Sequence, residues 1–216
     1  MAAKINEKTR CVVIAGAPNP DVGFIAQTVT PQDYVICADR GFDAARRAGI
    51  TPDCLIGDFD SCEGALPKNI ETVRLKPEKD FSDTFHAVET ALSRGFRSVV
   101  LLAATGGRLD HTCANLSVLA YLHENGAEGI ILSKNEKVLL LSEGEHVFRG
   151  LDGKTFSVFP FGCPKVTLSY QGAKYPLSYC VLECSRAMGL SNVFTDDEAE
   201  ITVHSGKALL FINQNV

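Results

Sequence analysis

The apolar residues of this chain follow two different rhythms, and the change between them limits the fold more than any other feature. Up to about residue 141, short apolar runs alternate with helical patterns, the sign of a mostly parallel sheet covered by helices. Residues 11–16, 34–38, 55–56, 71–75, 98–104, 128–133 and 137–141 read as strands. A helix over about 42–48 closes at Gly49, where a glycine normally ends a helix. A second opens near Asp80 and Asp83, sets Phe85, Val88 and Leu92 on one face, and stops at Gly95. A third, over about 112–125, ends at Gly126. Beyond about residue 145 the rhythm shortens. Residues 165–170 and 200–204 alternate polar and apolar, as half-buried antiparallel strands do, and 180–184 and 208–212 add further strands. The expected fold is α/β. A mostly parallel sheet flanked by helices spans 1–143, and an antiparallel β-sandwich follows over 144–216.

Bulk properties remove several classes of function. The 216 residues carry a net charge of −5 and no cluster of lysines or arginines, which speaks against a nucleic-acid partner. No apolar run approaches the roughly 20 residues that span a bilayer. The first eight residues are too polar for a secretory signal, so a cytoplasmic location is expected, with no membrane partner. Eight cysteines form no C-x-x-C pair and sit mostly inside apolar runs, which predicts buried free thiols in a reducing compartment.

The chemistry concentrates in short acidic turns. In Gly57-Asp58-Phe59-Asp60-Ser61 an apolar run ends and two carboxylates follow, one residue apart. In a strand, residues i and i+2 share a face, so Asp58 and Asp60 are expected side by side. Two like charges held that close repel, and a hard cation such as Mg²⁺ turns the repulsion into binding. An Asp-rich turn capping a strand is the other reading of this stretch. Asp39, Asp80, Asp83 and Asp110 each also lie just past a strand or at the start of the next helix. Singly, each reads as a helix cap. Together, the six converge on the sheet edge where open α/β folds bind ligands. Thr105-Gly106-Gly107-Arg108 supplies the complement, since glycines let backbone approach an anion, a helix N-terminus binds phosphate, and arginine clamps it bidentately. An ordinary tight turn is the alternative there. Neither a P-loop nor a G-x-G-x-x-G after the first strand occurs. If a nucleotide binds, metal and carboxylates must hold its phosphates.

Ala38-Asp39-Arg40-Gly41, Gly57-Asp58-Phe59-Asp60-Ser61, Lys79-Asp80-Phe81-Ser82-Asp83 and Thr105-Gly106-Gly107-Arg108-Leu109-Asp110-His111 resemble, in order and spacing, the motif set of thiamine pyrophosphokinases. Gly189-Leu190-Ser191-Asn192 resembles that family's thiamine-side segment. The resemblance covers essentially the whole chain. It implies transfer of the pyrophosphoryl group of ATP to the hydroxyl of thiamine, giving thiamine diphosphate and AMP. It implies a nucleotide-binding catalytic domain over 1–143 and a thiamine-binding, dimerising domain over 144–216. By resemblance Asp58, Asp60 and Asp83 are Mg²⁺ ligands, and Asp80 and Asp110 support or orient the reacting groups. Arg108, His111 and the turn Thr105, Gly106, Gly107 lie along the nucleotide, while Asp39 contacts metal or substrate. Ser191 and Asn192 meet thiamine, and a second subunit of a homodimer completes that site. Eukaryotic members stack an aromatic on the thiamine ring. This chain has no tryptophan, which leaves Phe194, Tyr179 or polar contacts for the task.

Two other readings start from the same residues. A D-x-D phosphatase of the haloacid dehalogenase type would use Asp58 as a nucleophile. That motif normally closes the first strand and continues to Thr or Val, whereas here it follows at least two strand–helix units and Cys62 stands in that place. A non-catalytic nucleotide or thiamine sensor would be expected to lose acidic positions that this chain retains.

Overall fold

The structure, a computed structural model, describes residues 8–59, 67–76, 78 and 80–214. Asp60, Ser61, Cys62 and Lys79 lie outside the described residues. The chain forms two compact units, dividing between Ser133 and Lys134.

Among the described residues the first unit carries six strands: β1 (Arg10–Ile14), β2 (Asp33–Ala38), β3 (Cys54–Gly57), β4 (Glu71–Arg74), β5 (Ser98–Leu102) and β6 (Glu128–Leu132). They run parallel in the order β6-β5-β1-β2-β3-β4. The helices are α1 (Val22–Thr28), α2 (Gly41–Arg47), α3 (Asp83–Ser93) and α4 (Leu109–Glu124). Strands covered on both faces are largely apolar, and β2 and β3 are buried at every residue, with Asp33 at the start of β2 the one charged member. On one face Val12, Ile14, Val35, Cys37, Leu55, Val100 and Leu102 pack against Ile25 of α1 and Phe42, Ala44 and Ala45 of α2. The period-2 alternation sends Cys11, Val13, Ile36, Ile56 and Leu101 to the other face.

The strand order fixes where a ligand can enter. From β1 the chain builds outward through β2, β3 and β4, then returns to the opposite side of β1 for β5 and β6. The reversal lies between β1 and β5, and crevices of open α/β sheets form at such a point, outside the carboxyl ends of the strands.

In the second unit β12 (Asn192–Val193), β9 (Thr155–Pro160), β14 (Ala208–Asn213) and β7 (Glu136–Leu141) pair antiparallel in that order. A second antiparallel sheet runs β11 (Leu177–Glu183), β10 (Lys165–Gln171), β13 (Glu198–Ser205) and β8 (Gly144–Arg149). Phe156, Val158 and Leu210 from the first of these sheets share one core with Val166, Leu168, Ile201 and Val203 from the second, so the unit is a sandwich.

Several details depart from expectation, and β8 and β9 were not among the expected strands. The strand at 136–141 belongs to the second unit, pairing with β14 from Ala208↔Leu141 to Asn213↔Glu136, so the division falls ten residues before the expected 143/144. An apolar strand reads the same whether its partner is parallel or antiparallel, and this partner is the chain's last strand. Helix α1 was not expected, because only Ile25 of its seven residues is buried and no period shows. Its N-cap is Asp21, whose Oδ1 accepts the Phe24 N–H at 2.9 Å. The cysteines are less buried than expected. All seven described are free, but only Cys11, Cys37 and Cys54 are buried, while Cys113 and Cys184 are exposed. Burial pushes the Cys54 thiol up to about 11, so it stays protonated.

The amino edge of the sheet is tied down by buried charge. Asp33 accepts two hydrogen bonds from the Arg10 guanidinium, at 2.5 and 3.0 Å, and one from the Thr30 N–H at 2.7 Å. Arg10 also donates to the Thr28 carbonyl, joining β1, the end of α1 and β2. Burial alone would raise the Asp33 pKa, but Arg10 and Thr30 bring it below the ordinary carboxylate value. A lowered folded-state pKa contributes stability above the unfolded value, and that stability is lost as pH falls through the folded value. Asp33→Asn is therefore expected to lower stability by about 2 kcal/mol near neutrality. In denaturant melts the gap from wild type should narrow below about pH 4. A gap that stays constant down to pH 2 would show that the charge plays no part.

Candidate active site

The four central strands exit along the carboxyl edge, joined in two pairs. Beyond β1 the Ala15 N–H donates to the Leu102 carbonyl and the Ala17 N–H to the Ala103 carbonyl, joining the β1 and β5 exits across the reversal. The Asp39 N–H donates to the Ile56 carbonyl, which sets the β2 exit against the end of β3. Leu75 N–H donates to the Gly57 carbonyl, adding the β4 exit. Asp39 and Asp58 therefore stand at adjacent exits, and the Thr105–Arg108 turn stands on the same sheet edge at β5, with β1 between it and β2.

These exits share an unusual backbone. Asn19, Asp39, Phe59 and Ala103 have φ of 51°, 46°, 62° and 50°, one left-handed residue past each of β1, β2, β3 and β5. For a residue with a Cβ this conformation costs roughly 1–2 kcal/mol, and such strain collects at functional sites. Phe59 bears on the acidic pair directly. Strand β3 ends at Gly57, and a left-handed Phe59 breaks the pleat. Asp58 thus stands on a turn, and the expectation that it shares a strand face with Asp60 loses its premise. The Phe59 ring packs on the core and lies 6.0 Å from the Arg74 guanidinium carbon.

The β5 exit forms a second turn. Gly106 and Gly107 have φ of 98° and 71°. A Cβ on Gly107 would sit 2.6 Å from the Pro18 ring of the β1 exit, so this close approach requires glycine. Buried Asn115 of α4 holds the turn from behind, donating to the Ala104 carbonyl at 2.7 Å. Helix α4 begins at Leu109, earlier than the expected 112, and opens straight out of the turn with Arg108 as its N-cap. Arg108 and Asp110 are paired through two hydrogen bonds, at 2.6 and 3.1 Å, and both are exposed. The Arg108 bond holds the Asp110 carboxyl down to about 2, so it is ionised throughout the physiological range. The pair orients the guanidinium, and an incoming phosphate would exchange with Asp110 in open solvent. His111 is exposed in the same turn, its N–H on Asp110 Oδ1.

Asp83 is the first residue of α3, whose N-cap Ser82 accepts the Phe85 N–H at 3.2 Å. Asp80 lies exposed just upstream. Among the described residues, no three His, Cys, Asp or Glu side chains converge on one point. Mg²⁺ is commonly held by one or two carboxylates, waters and substrate phosphates, not by an all-protein cage. The all-oxygen donors Asp58 and Asp83 fit that pattern.

The second unit presents its own candidate segment. A Cβ on Gly189 would meet the Val158 carbonyl oxygen at 1.9 Å, so only glycine lets this segment lie on β9. The Val158 N–H donates to the Gly189 carbonyl, and the Ser191 N–H to Ser157 Oγ at 3.0 Å. Ser191 is exposed and left-handed, with φ 59°. Asn192 is buried, and its Oδ1 accepts the Tyr175 and Val193 N–H groups while its Nδ2 donates to the Tyr175 carbonyl. Its amide is thus engaged within the protein and presents Tyr175 to solvent. Phe194 cannot stack on a ligand, being 1% exposed and packed on Phe156 at 4.3 Å inside the sandwich. The exposed rings are Tyr179, stacked on His204 at 3.8 Å, and Tyr175, 58% exposed. Tyr175 was missed in the sequence, where an aromatic set between Gly172 and Pro176 was the available signal.

Comparison with known proteins follows the same division. The thiamin pyrophosphokinase catalytic domain matches residues 25–131, and the thiamin pyrophosphokinase vitamin B1 binding domain matches residues 142–210. The thiamine pyrophosphokinase of Bacillus subtilis is 26% identical over 186 residues, covering 83% of this chain and 87% of that protein. Thiamin pyrophosphokinase 1 of Caenorhabditis elegans is 28% identical over 170 residues, covering 74% and 69%. In fold, the chain is similar to the crystal structure of the B. subtilis protein, with a TM-score of 0.84 at 21% identity over 96% of this chain and all of that one. It is also similar to thiamin pyrophosphokinase from Candida albicans, with a TM-score of 0.77 at 16% identity over 98% and 90%. With the catalytic match on the unit of acidic strand exits and the vitamin B1 match on the sandwich, the chain belongs to the thiamine pyrophosphokinase family.

Proposed function

We propose that this protein transfers the pyrophosphoryl group of ATP to the hydroxyl of thiamine, releasing AMP. The observation that carries the reading is the pair of family domains matched in order over most of the chain. The geometry supports it, because the glycine turn and the acidic exits occupy one sheet edge around the β1/β5 reversal. The relatives named above lend no support to the phosphatase reading.

In the proposed reaction the thiamine hydroxyl oxygen bonds to the β-phosphorus and the bond from that phosphorus to the α,β-bridging oxygen breaks. AMP leaves with the bridging oxygen, and the hydroxyl proton passes to a carboxylate or to solvent. Such chemistry asks the protein mainly for position and charge. Asp58 and Asp83, with Asp60 outside the described residues, would hold Mg²⁺, which neutralises charge on the phosphoryl oxygens. Gly106, Gly107 and the start of α4 offer N–H groups to phosphate, and Arg108 and His111 lie beside them. Asp80 and Asp110 orient the reacting groups, with Asp110 acting through its hold on Arg108. Asp39 stands at the exit beside β3, in reach of metal or substrate. Ser191 and the Tyr175 ring that Asn192 steadies face thiamine. The reading includes a homodimer whose second subunit completes the thiamine site, and a cytoplasmic location in keeping with seven free thiols.

Incubation with ATP, Mg²⁺ and thiamine should yield AMP and thiamine diphosphate in equal amounts. Release of ADP or inorganic phosphate in their place would overturn the assignment. Asp58→Asn and Asp83→Asn should each reduce turnover by about 100-fold or more, since a neutral amide is a poor ligand for a hard cation. Near-normal turnover in either, with an unchanged melting curve, would remove that residue from the metal site. Light scattering should give about twice the chain mass of 23.3 kDa, and a monomer mass would rule out the shared site.

A further inference from the structure

An aromatic ladder runs from the acidic turn before α3 into α4. Phe81 stacks on Phe85 with ring centroids 4.5 Å apart and planes 20° from parallel. It also meets His86 edge-on at 6.2 Å. Phe85 in turn packs on Tyr121 of α4 at 4.6 Å. Phe81 precedes the N-cap Ser82, so it occupies the place of a hydrophobic staple, the apolar residue that fixes the angle at which a chain enters a helix. Here the entering chain is functional. Asp80 lies on one side of Phe81, and Ser82 and Asp83 lie on the other. Yet Phe81 remains 53% exposed, too open for its ring to be explained by core packing alone.

We propose that Phe81 is a positioning residue for the proposed metal site, setting the direction of Asp80 and Asp83 through its stack on Phe85. The proposal rests on the metal reading of Asp83 given above. Without the stack, Ser82 still caps the helix through its hydroxyl, so α3 survives. The first turn of α3, which carries Asp83, frays more readily and the peptide that carries Asp80 gains rotational freedom, so neither carboxylate keeps a fixed direction. Misplacement of about 1 Å can cost 100-fold in rate, so the stack acts on metal affinity first and on overall stability second.

The test measures Mn²⁺ binding to the full-length protein by electron paramagnetic resonance, without nucleotide or thiamine, alongside the Mg²⁺ dependence of turnover. Phe81→Ala is expected to weaken Mn²⁺ binding and raise the half-saturating Mg²⁺ concentration by about tenfold. Phe81→Tyr, which keeps the ring, should restore both. Wild-type Mn²⁺ binding in Phe81→Ala would overturn the proposal, even with a lowered melting temperature, because a purely structural staple would produce that pattern. So would a Phe81→Tyr variant as weak as Phe81→Ala. If Phe81→Ala fails to fold, Phe81→Leu takes its place, with the same weakening expected because an aliphatic side chain cannot stack. Asp83→Asn serves as the control. Wild-type Mn²⁺ binding and turnover there would overturn the metal reading itself, and loss there with no change in Phe81→Ala would overturn the positioning role alone.

Discussion

Parallel strands all leave a sheet at the same edge, and the chemistry of the first unit depends on that constraint. The reversal of strand order between β1 and β5 opens the edge there, because the connections on either side run away from each other. Whatever stands at the exits of β1, β2, β3 and β5 is then brought together by the backbone. The chain places carboxylates past β2 and β3 and a glycine turn past β5, so under the proposed function one edge would offer a side for a cation and a side for an anion. For a Mg·ATP substrate the two sides complement each other, since metal and phosphates present opposite charges.

The same edge concentrates backbone strain. Four exits each contain a left-handed residue that is not glycine. Glycine would relieve the penalty but widen the range of directions open to the neighbouring side chains. Phe59 shows the alternative, with a ring that packs on the core under Arg74 and so fixes the turn that carries Asp58. The Phe81 stack does comparable work for the turn that carries Asp83. In both cases an aromatic residue between acidic ones restricts a segment that would otherwise be an unconstrained loop. The amino edge of the sheet carries a different kind of charge: Asp33 with Arg10, and Arg94 with Glu71 and the Tyr34 hydroxyl. Those groups are satisfied by one another, which suits a structural role.

The legible part of this fold was the part governed by period and punctuation. Buried parallel strands announce themselves as unbroken apolar runs, and the helices end at Gly49, Gly95 and Gly126 as expected. Helix α1 and the two-residue β12 escaped notice because so short an element completes no period, and the six-residue β8 and β9 were not singled out either. The compact units divide ten residues before the expected boundary because pairing partners are tertiary facts. Nothing in residues 136–141 says that β14 lies beside them. For the site, residue types and order were readable while orientation was not. The pleat rule assumes a strand through Asp58, and the left-handed Phe59 ends the pleat there without any residue-type signal, since phenylalanine rarely adopts such a φ; Asp60 lies outside the described residues.

The second unit shows most plainly why contact roles resist sequence reading. Asn192 and Phe194 both look like ligand-facing residues in a polar, glycine-led segment, yet one is engaged by the Tyr175 backbone and the other lies in the sandwich core. Polar character does not distinguish an amide that meets a ligand from one that shapes the loop beside it, because both need hydrogen bonds when buried. Gly189 separates the two. A residue that tolerates no Cβ against the Val158 carbonyl presses its segment onto β9, and Ser157 and Asn192 complete the clamp. With the backbone fixed by these three residues, exposed Ser191 and Tyr175 are the groups left facing outward. The residues that fix this segment and the residues that it leaves exposed are therefore different, and the sequence motif contains more of the former.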